Sequence, residues 1–295
     1  MAGISLEPLR TTEAHAYWRA FLEGRSDVPT RDLKDHIERY LALPPEEQRS
    51  HYAFVRDRRI VGTVRLSPDG ITGFSMAEGH AADATPAILK AVDALRAQGA
   101  TSITASYEDR YGPAFEALGF RPSFARMRME APTQRFPPRP DVLLKPPEES
   151  EIVGLTGFFK AVYEGHIEQQ YGIHVGSDEE WREYIAGLLK GDSGRFLPQA
   201  SFVSMEGESI VGGILVTHWM GMPLIAELGV AKDRRGRGLG RALLETASSR
   251  LAGMGEPRWS LYVTAGNDPA IRLYGSMDFA TVGGRAVTAR LAAPG

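Results

Sequence analysis

Residues Val230 to Leu244 read VAKDRRGRGLGRALL and set Gly236, Gly238 and Gly240 at alternate positions among Arg234, Arg235, Arg237 and Arg241. Glycine at every second position suits neither a helix nor a strand interior, because ordering it costs the most conformational freedom. It suits a place where backbone comes close to a ligand. A glycine-rich turn that opens a helix presents unpaired N–H groups at the positive end of the helix dipole, and that combination binds phosphate. Arginine adds full charge and forked donors matched to phosphate oxygens. Leu239 lies inside the same turn. The pattern is not a dinucleotide fingerprint, since Arg241 stands where a small residue is needed, and it lacks the Gly-Lys-Ser/Thr step of a nucleotide triphosphate loop.

A second feature is Glu227, the only acid in the apolar run LIAELGV just upstream. An acid in a buried strand calls for a partner or a function. Simple alternation sets it on the face opposite Leu228 and Val230, and a bulge could turn it inward. His218, at the end of the preceding apolar run, is a further titratable group, and a lone histidine at a strand end is more often structural. The stretch AVYEGHIEQQYGIHVGSDEEWREY gathers Glu164, Glu168, Asp178, Glu179, Glu180 and Glu183 with His166 and His174. It reads either as acidic surroundings that attract a cation or as a solvated helix face.

These residues need elements to position them. LIAELGV reads as a strand. RALLETASSRLAGM reads as an amphipathic helix with Leu243, Leu244, Ala247 and Leu251 at helical spacing. The apolar run from Ile210 to Val230 is nearly long enough to cross a membrane, but His218, Pro223, Glu227 and a turn-like GMP divide it into two buried strands. APTQRFPPRP, residues 131–140, is proline-rich and reads as a linker. The sequence on its two sides repeats. FVRDRRIVGTVRL from Phe54 matches FVSMEGESIVGGILV from Phe202. TSITASYEDRYGPAFEALGF, ending at Phe120, aligns without a gap to SLYVTAGNDPAIRLYGSMDF, ending at Phe279. Each half reads as strand, helices, strand hairpin, strand, helix, strand, helix and terminal strands, an α/β (α+β layered) domain present twice.

The chain of 295 residues is long enough for two such domains, and its 43% hydrophobic and 24% charged residues are those of a globular protein. A net charge of −3 argues against a general nucleic-acid binder. The absence of cysteine excludes disulfides, cysteine-ligated zinc and a cysteine nucleophile. The N-terminal MAGISLEPLR does not read as a secretory signal.

The glycine stretch resembles the acyl-CoA signature of the GNAT superfamily of N-acyltransferases: Arg or Gln, two residues, Gly, one residue, Gly or Ala. Here those residues are Arg235, Gly238 and Gly240, flanked by Val230, Gly236, Leu243 and Leu244. Downstream, Asn267, Ala270, Leu273, Tyr274 and Phe279 resemble a second family motif, with Asp278 where the family usually has glycine. The resemblance covers residues 141–295. The first half resembles a GNAT domain that has lost its phosphate cradle: AEGHAADATPAILKA has no arginine-glycine loop, and Phe115 and Glu108 stand where Tyr274 and Asn267 do.

The resemblance implies two tandem GNAT-like domains, each a mixed, mostly antiparallel central sheet flanked by helices: a degenerate domain over 1–130, the linker 131–140, and an acyl-CoA-binding catalytic domain over 141–295. It implies direct attack of an amine on the thioester of acetyl-CoA, without an acyl-enzyme or a metal. Tyr274 then protonates the departing thiolate. The Leu228–Gly229–Val230 backbone supplies the oxyanion donor and pairs with the pantetheine arm, and the segment Arg235–Arg241 with Asn267 holds the donor. Family members often carry a glutamate at the position of Leu224. Glu227 is the candidate base here, with a water relay or an already neutral amine as the alternative and His218 as an outside candidate. The expectation is a cytoplasmic N-acetyltransferase acting on a primary amine of a small molecule, with no nucleic-acid or membrane partner and compatible with a monomer. The alternatives are a protein N-acetyltransferase and a non-catalytic acyl-CoA sensor.

Overall fold

The IVG of each repeated hairpin, residues 60–62 and 210–212, lies in the hairpin's second strand, and its glycine pairs with an equivalent residue of the strand that follows: Gly62 with Met76, Gly212 with Val230. The same backbone hydrogen bond closes both pairings, Ala77 N–H to Val61 O and Ala231 N–H to Val211 O. The internal repeat read from the sequence is therefore a repeat of structure. The computed structural model describes residues 3–28 and 30–293. It divides into two units, one of residues up to Met127 together with those from Val282 on, the other Arg128–Thr281.

Unit 1 runs β1 (Ser5–Pro8), α1 (Ala14–Gly24), α2 (Leu33–Ala42), α3 (Pro45–Gln48), β2 (His51–Arg56), β3 (Arg59–Ser67), β4 (Gly70–Met76), α4 (Ala84–Ala97), β5 (Ile103–Glu108), α5 (Gly112–Glu116) and the first half of β6 (Arg121–Pro132). Strands β1 to β4 pair antiparallel in sequence order, and β4 pairs β5 in parallel. Phe54, Val64, Ile71 and Phe74 of the sheet meet Ile88, Ala91 and Leu95 of α4 in one core.

Unit 2 runs from the second half of β6 through β7 (Leu144–Lys145), α6 (Ile152–Tyr163), α7 (Asp178–Lys190), β8 (Arg195–Phe196), β9 (Phe202–Glu206), β10 (Ser209–Trp219), β11 (Met222–Val230), α8 (Leu239–Gly253), β12 (Arg258–Thr264), α9 (Asp268–Gly275) and β13 (Ala280–Thr281). The apolar run from Ile210 is a hairpin: Met220 and Gly221 both have positive φ, the two-residue turn that matches strand twist. β7, β9, β10 and β11 pair antiparallel, and β11 pairs β12 in parallel. Leu155, Phe159, Trp181 and Ile185 of α6 and α7 pack on one sheet face with Val203 and Leu215. Among the described residues, no helix is long and apolar enough to cross a membrane.

The expected boundary at residues 131–140 meets a different arrangement. β6 continues to Pro132, and its second half pairs β13 through Glu130–Ala280 and Met129–Thr281. From Thr133 on, the chain is tied down within unit 2: Gln134 N–H donates to Ser248 Oγ and Phe136 N–H to Ser249 Oγ of α8. The last strand, β14 (Ala286–Leu291), belongs to unit 1, inserted antiparallel between β5 and the first half of β6. There it satisfies the backbone groups of both neighbours, which would otherwise be open edges. The outer limits of the expected domains, residues 1–2 and 294–295, lie outside the described residues.

Candidate active site

The glycine loop folds as the residue types dictate. Gly236 and Gly238 have φ +75° and +83°, and Gly238 is the N-cap of α8. A Cβ at either glycine would meet nothing within 4 Å, so the protein leaves both faces open. Gly240 differs: its Cβ would come 3.3 Å from Leu273 Cδ2, so this glycine lets α8 approach α9. Gly238 offers no side chain to cap the helix, and the first intrahelical bond runs from Ala242 N–H to Gly238 O. The N–H groups of the first turn, on Leu239, Gly240 and Arg241, remain available.

The four arginines divide. Arg235 turns back on the protein, with Nε donating to Val230 O at 3.1 Å and Nη2 to Val162 O at 3.2 Å. Its side chain ties the end of β11 to the end of α6, which leaves only its backbone to face the loop's opening. Arg234 pairs with Glu206 and Asp233, and Arg241 bonds Ser276 Oγ. Arg237 is exposed and has no ion pair among the described residues. Leu239 points its side chain inward: a Cβ on Gly212 would lie 2.8 Å from Leu239 Cδ2, so the leucine fills the space that glycine leaves on β10.

Beside this helix end, β11 and β12 part. Their parallel pairing is confined to Leu224–Ser260 and Ile225–Leu261, while β11 stays paired to β10 as far as Val230. Among the described residues, no strand pairs with Ala226 to Val230, including Leu228 and Gly229, on the β12 side, so they present a strand edge there. An extended polar ligand can add there as a strand does. The bulge expected near Glu227 is present at Ala226, where the register shifts between Leu215 and Val216.

Glu227 lies on the opposite face from Leu228 and Val230, as alternation requires, and is 1% exposed. Its carboxylate accepts from the Tyr163 hydroxyl at 2.8 Å and the Tyr184 hydroxyl at 2.7 Å, and His174 Nε2 stands 3.6 Å from Oε1. His174 Nδ1 lies 2.6 Å from Glu168 Oε2, and Thr264 donates to the other Glu168 oxygen. Burial pulls the His174 imidazole down, but its bonds to Glu168 and Glu227 outweigh that and push its pKa up to about 9. Burial and the Glu227 charge hold the Tyr163 phenol well above its ordinary value. Burial keeps His166 below its ordinary range.

Of the six acids flagged between α6 and α7, only Glu168 turns inside. Asp178 pairs Lys160, Glu179 pairs Arg182, Glu164 pairs Lys232, Glu180 closes the capping box on Ser177, and Glu183 is exposed. His218 faces Glu256 at 3.6 Å, a surface contact. Asn267 is the N-cap of α9: its Oδ1 accepts from Ala270 N–H and its Nδ2 lies 3.1 Å from His166 Nε2. Tyr274 on α9 is 9% exposed, its ring edge-on to Phe279, and it is near enough to raise the Tyr163 pKa. Asp278 has φ +62°, like Gly119 at the equivalent place in unit 1, which accounts for the family's glycine there; aspartate tolerates that conformation. Tyr163, Tyr184 and Thr264 were not visible as site residues in the sequence, because only the packing of α6, α7 and β12 brings them to the two glutamates.

The sequence model of the acetyltransferase (GNAT) family matches residues 159–279. That match lies within the second unit. The mycothiol acetyltransferase of Streptomyces bingchenggensis is 37% identical over 92 residues, 29% of this chain and 29% of that one. That of Corynebacterium aurimucosum is 36% identical over 115 residues, 36% of this chain and 34% of that one. The match thus spans about a third of these relatives. Two solved structures share the fold along the whole chain. A GCN5-related N-acetyltransferase from Sphaerobacter thermophilus has a TM-score of 0.74 at 17% identity, covering 99% of this chain and 96% of that one. A tandem GNAT protein from the clavulanic acid biosynthesis pathway has a TM-score of 0.64 at 16% identity, covering 99% of each chain. The chain has the tandem GNAT fold, with a layout resembling that of mycothiol synthase.

Unit 1 repeats the frame of unit 2 with other residues at the corresponding positions. β4 and β5 pair only at Gly70–Thr104 and Ile71–Ala105, so they part as β11 and β12 do. Gly73 stands where Glu227 does, and Phe115, fully buried and stacked 3.9 Å on Tyr107, where Tyr274 does. The Tyr111 hydroxyl accepts from Met76 N–H at 3.0 Å and donates to Gly24 O at 2.7 Å, at the position equivalent to Val230. A cleft of about 770 Å³ opens beside it.

Proposed function

We propose that unit 2 is an acyl-CoA-dependent N-acyltransferase that moves an acetyl group from acetyl-CoA directly to a primary amine of a small molecule. The observation that carries this reading is the open edge of β11 from Ala226 to Val230 beside the uncapped N-terminus of α8. One surface thus offers a strand partner for the pantetheine arm and a row of N–H groups for the pyrophosphate. Arg237, exposed beside the loop, adds positive charge at the mouth. The mycothiol acetyltransferase relatives support a small-molecule acceptor.

The chemistry follows from the groups present. The amine nitrogen forms a bond to the thioester carbonyl carbon, and the carbonyl oxygen takes negative charge near the N–H groups of the Leu228–Val230 edge. The carbon–sulfur bond breaks. The Tyr274 phenol, protonated at neutral pH, gives its hydrogen to the thiolate. The amine's proton goes to Glu227 by way of Tyr184: the phenol hydroxyl takes a proton as it passes its own to Oε1. No acyl group rests on the protein, in keeping with the absence of cysteine.

Mass spectrometry of a panel of small amines incubated with acetyl-CoA tests the reading. The expected result is an acetylated amine and free CoA in equal amounts. Acetylated lysines on added proteins, with every small amine unmodified, would replace the small-molecule acceptor by a protein one.

A further inference from the structure

Two carboxylates, Glu168 and Glu227, are buried in one space, and a single imidazole stands between them. Each carboxylate is at most 6% exposed in its side chain. His174 reaches both, through Nδ1 at 2.6 Å and Nε2 at 3.6 Å. Its ring is clamped: it stacks on Tyr163 with centroids 3.7 Å apart and lies 5.7 Å from Trp181. Its backbone has φ +54°, a left-handed conformation that a residue with a side chain rarely adopts.

Neighbouring buried carboxylates cannot both stay ionised without a compensating charge. The groups facing His174 are Glu168 and His166 from the turn after α6, Tyr163 from α6, Trp181 from α7 and Glu227 from β11. Apart from His174 itself, the only other base among them is His166, whose pKa burial lowers.

We infer that His174 is the positioning residue of proton transfer in unit 2: held on Glu168, its imidazolium keeps Glu227 ionised and aimed at the Tyr163 and Tyr184 hydroxyls. Glu168 acts through His174, and Thr264 fixes Glu168. The inference rests on the reading of Glu227 as proton acceptor, and it adds what makes that acceptor competent. A buried carboxylate alone would hold its proton to higher pH and could not receive another.

The test is the pH dependence of kcat/KM for the wild type and for His174→Gln, Glu168→Gln and Glu227→Gln. An opposite charge within a few ångströms lowers a carboxyl pKa by about 1–3 units. The acid limb of the His174→Gln profile should therefore move up by about 1–3 pH units. Glu168→Gln should move it the same way by less, with KM for acetyl-CoA unchanged in both. A loss of kcat equal at every pH, with the acid limb in place, would overturn the inference and leave Glu227 as acceptor. Wild-type kcat in Glu227→Gln would instead overturn the acceptor reading. Should His174→Gln fail to fold, the imidazole Cε1–H resonance of wild-type His174 decides. It should keep the shift of a protonated ring from pH 6 to pH 8, and titration near the ordinary histidine value would overturn the inference.

Discussion

Tyr184 donates its hydroxyl hydrogen to Glu227 across 2.7 Å, and of the two only the tyrosine reaches the surface, 38% exposed against 1%. On the proposed mechanism, the carboxylate's route to an incoming amine runs through a phenol. Tyr184→Phe keeps the ring and removes the relay. General acid–base assistance is worth about 10²–10⁴-fold, and kcat should fall into that range while the affinity for acetyl-CoA holds. Steady-state kinetics with a good amine measures it, and an unchanged kcat would mean that the amine reaches Glu227 by another path or does not need it.

Tyr274→Phe should also lose about 10²–10⁴-fold in kcat, because the thiolate then leaves without its proton donor. Its ring contact with Phe279 survives the change. Thiol leaving groups of lower pKa need the donor less, and acyl thioesters of such thiols should narrow the gap between variant and wild type.

Arg237 isolates the electrostatics of the loop. Unlike Arg234, Arg235 and Arg241, it makes no hydrogen bond or ion pair among the described residues, its charge only helping to lower the Glu206 pKa, so Arg237→Glu should change thermal stability little. It should weaken acetyl-CoA binding in calorimetry, with the loss shrinking as salt is raised. Gly238→Ala is less clean, since φ +83° strains any side chain and would disturb the start of α8 itself.

Much of this site was legible in the residues. The alternate glycines announced a turn and a helix start, Glu227 stood out as a lone acid in an apolar strand, and the repeated IVG marked the duplication. Asn267 before Asp268-Pro269 could have been read as a helix cap from its type alone. Arg235 could not: whether an arginine faces a ligand or folds back onto carbonyls depends on where α6 ends. Nor could the Glu168–His174–Glu227 chain, because its members come from an irregular segment and a strand that only tertiary packing joins. The placement of β14 was hidden for the same reason. A six-residue strand carries its periodicity but not the identity of its neighbours.

The buried imidazole also sets a pH dependence of stability. His174 has its pKa raised above the ordinary 6.5 to about 9, so the folded state binds the proton more tightly than the unfolded one. That contribution is complete below pH 6.5 and is lost as pH rises through about 9. The melting temperature of the wild type should fall across this window. His174→Gln should melt lower at pH 6 and show a flatter profile, and an equal gap between the two at pH 6 and pH 9.5 would contradict the assignment.

Unit 1 has the parted strands but not the glycine loop, and the Tyr111 hydroxyl already occupies Met76 N–H. One acetyl-CoA should bind per chain. Calorimetric stoichiometry gives the answer, and two equivalent sites would show that unit 1 keeps a donor site despite the tyrosine.

On the proposed reading, unit 2 transfers an acyl group rather than only holding its carrier. The most direct measurement is the rate of thiol release from acetyl-CoA with a saturating amine, compared among the wild type, Glu227→Gln and Tyr274→Phe. Amine-dependent release by the wild type is expected, with a loss of about 10²-fold or more in each variant and acetyl-CoA still bound. Tight binding of acetyl-CoA with no amine-dependent release by the wild type, or release that neither substitution changes, would contradict it.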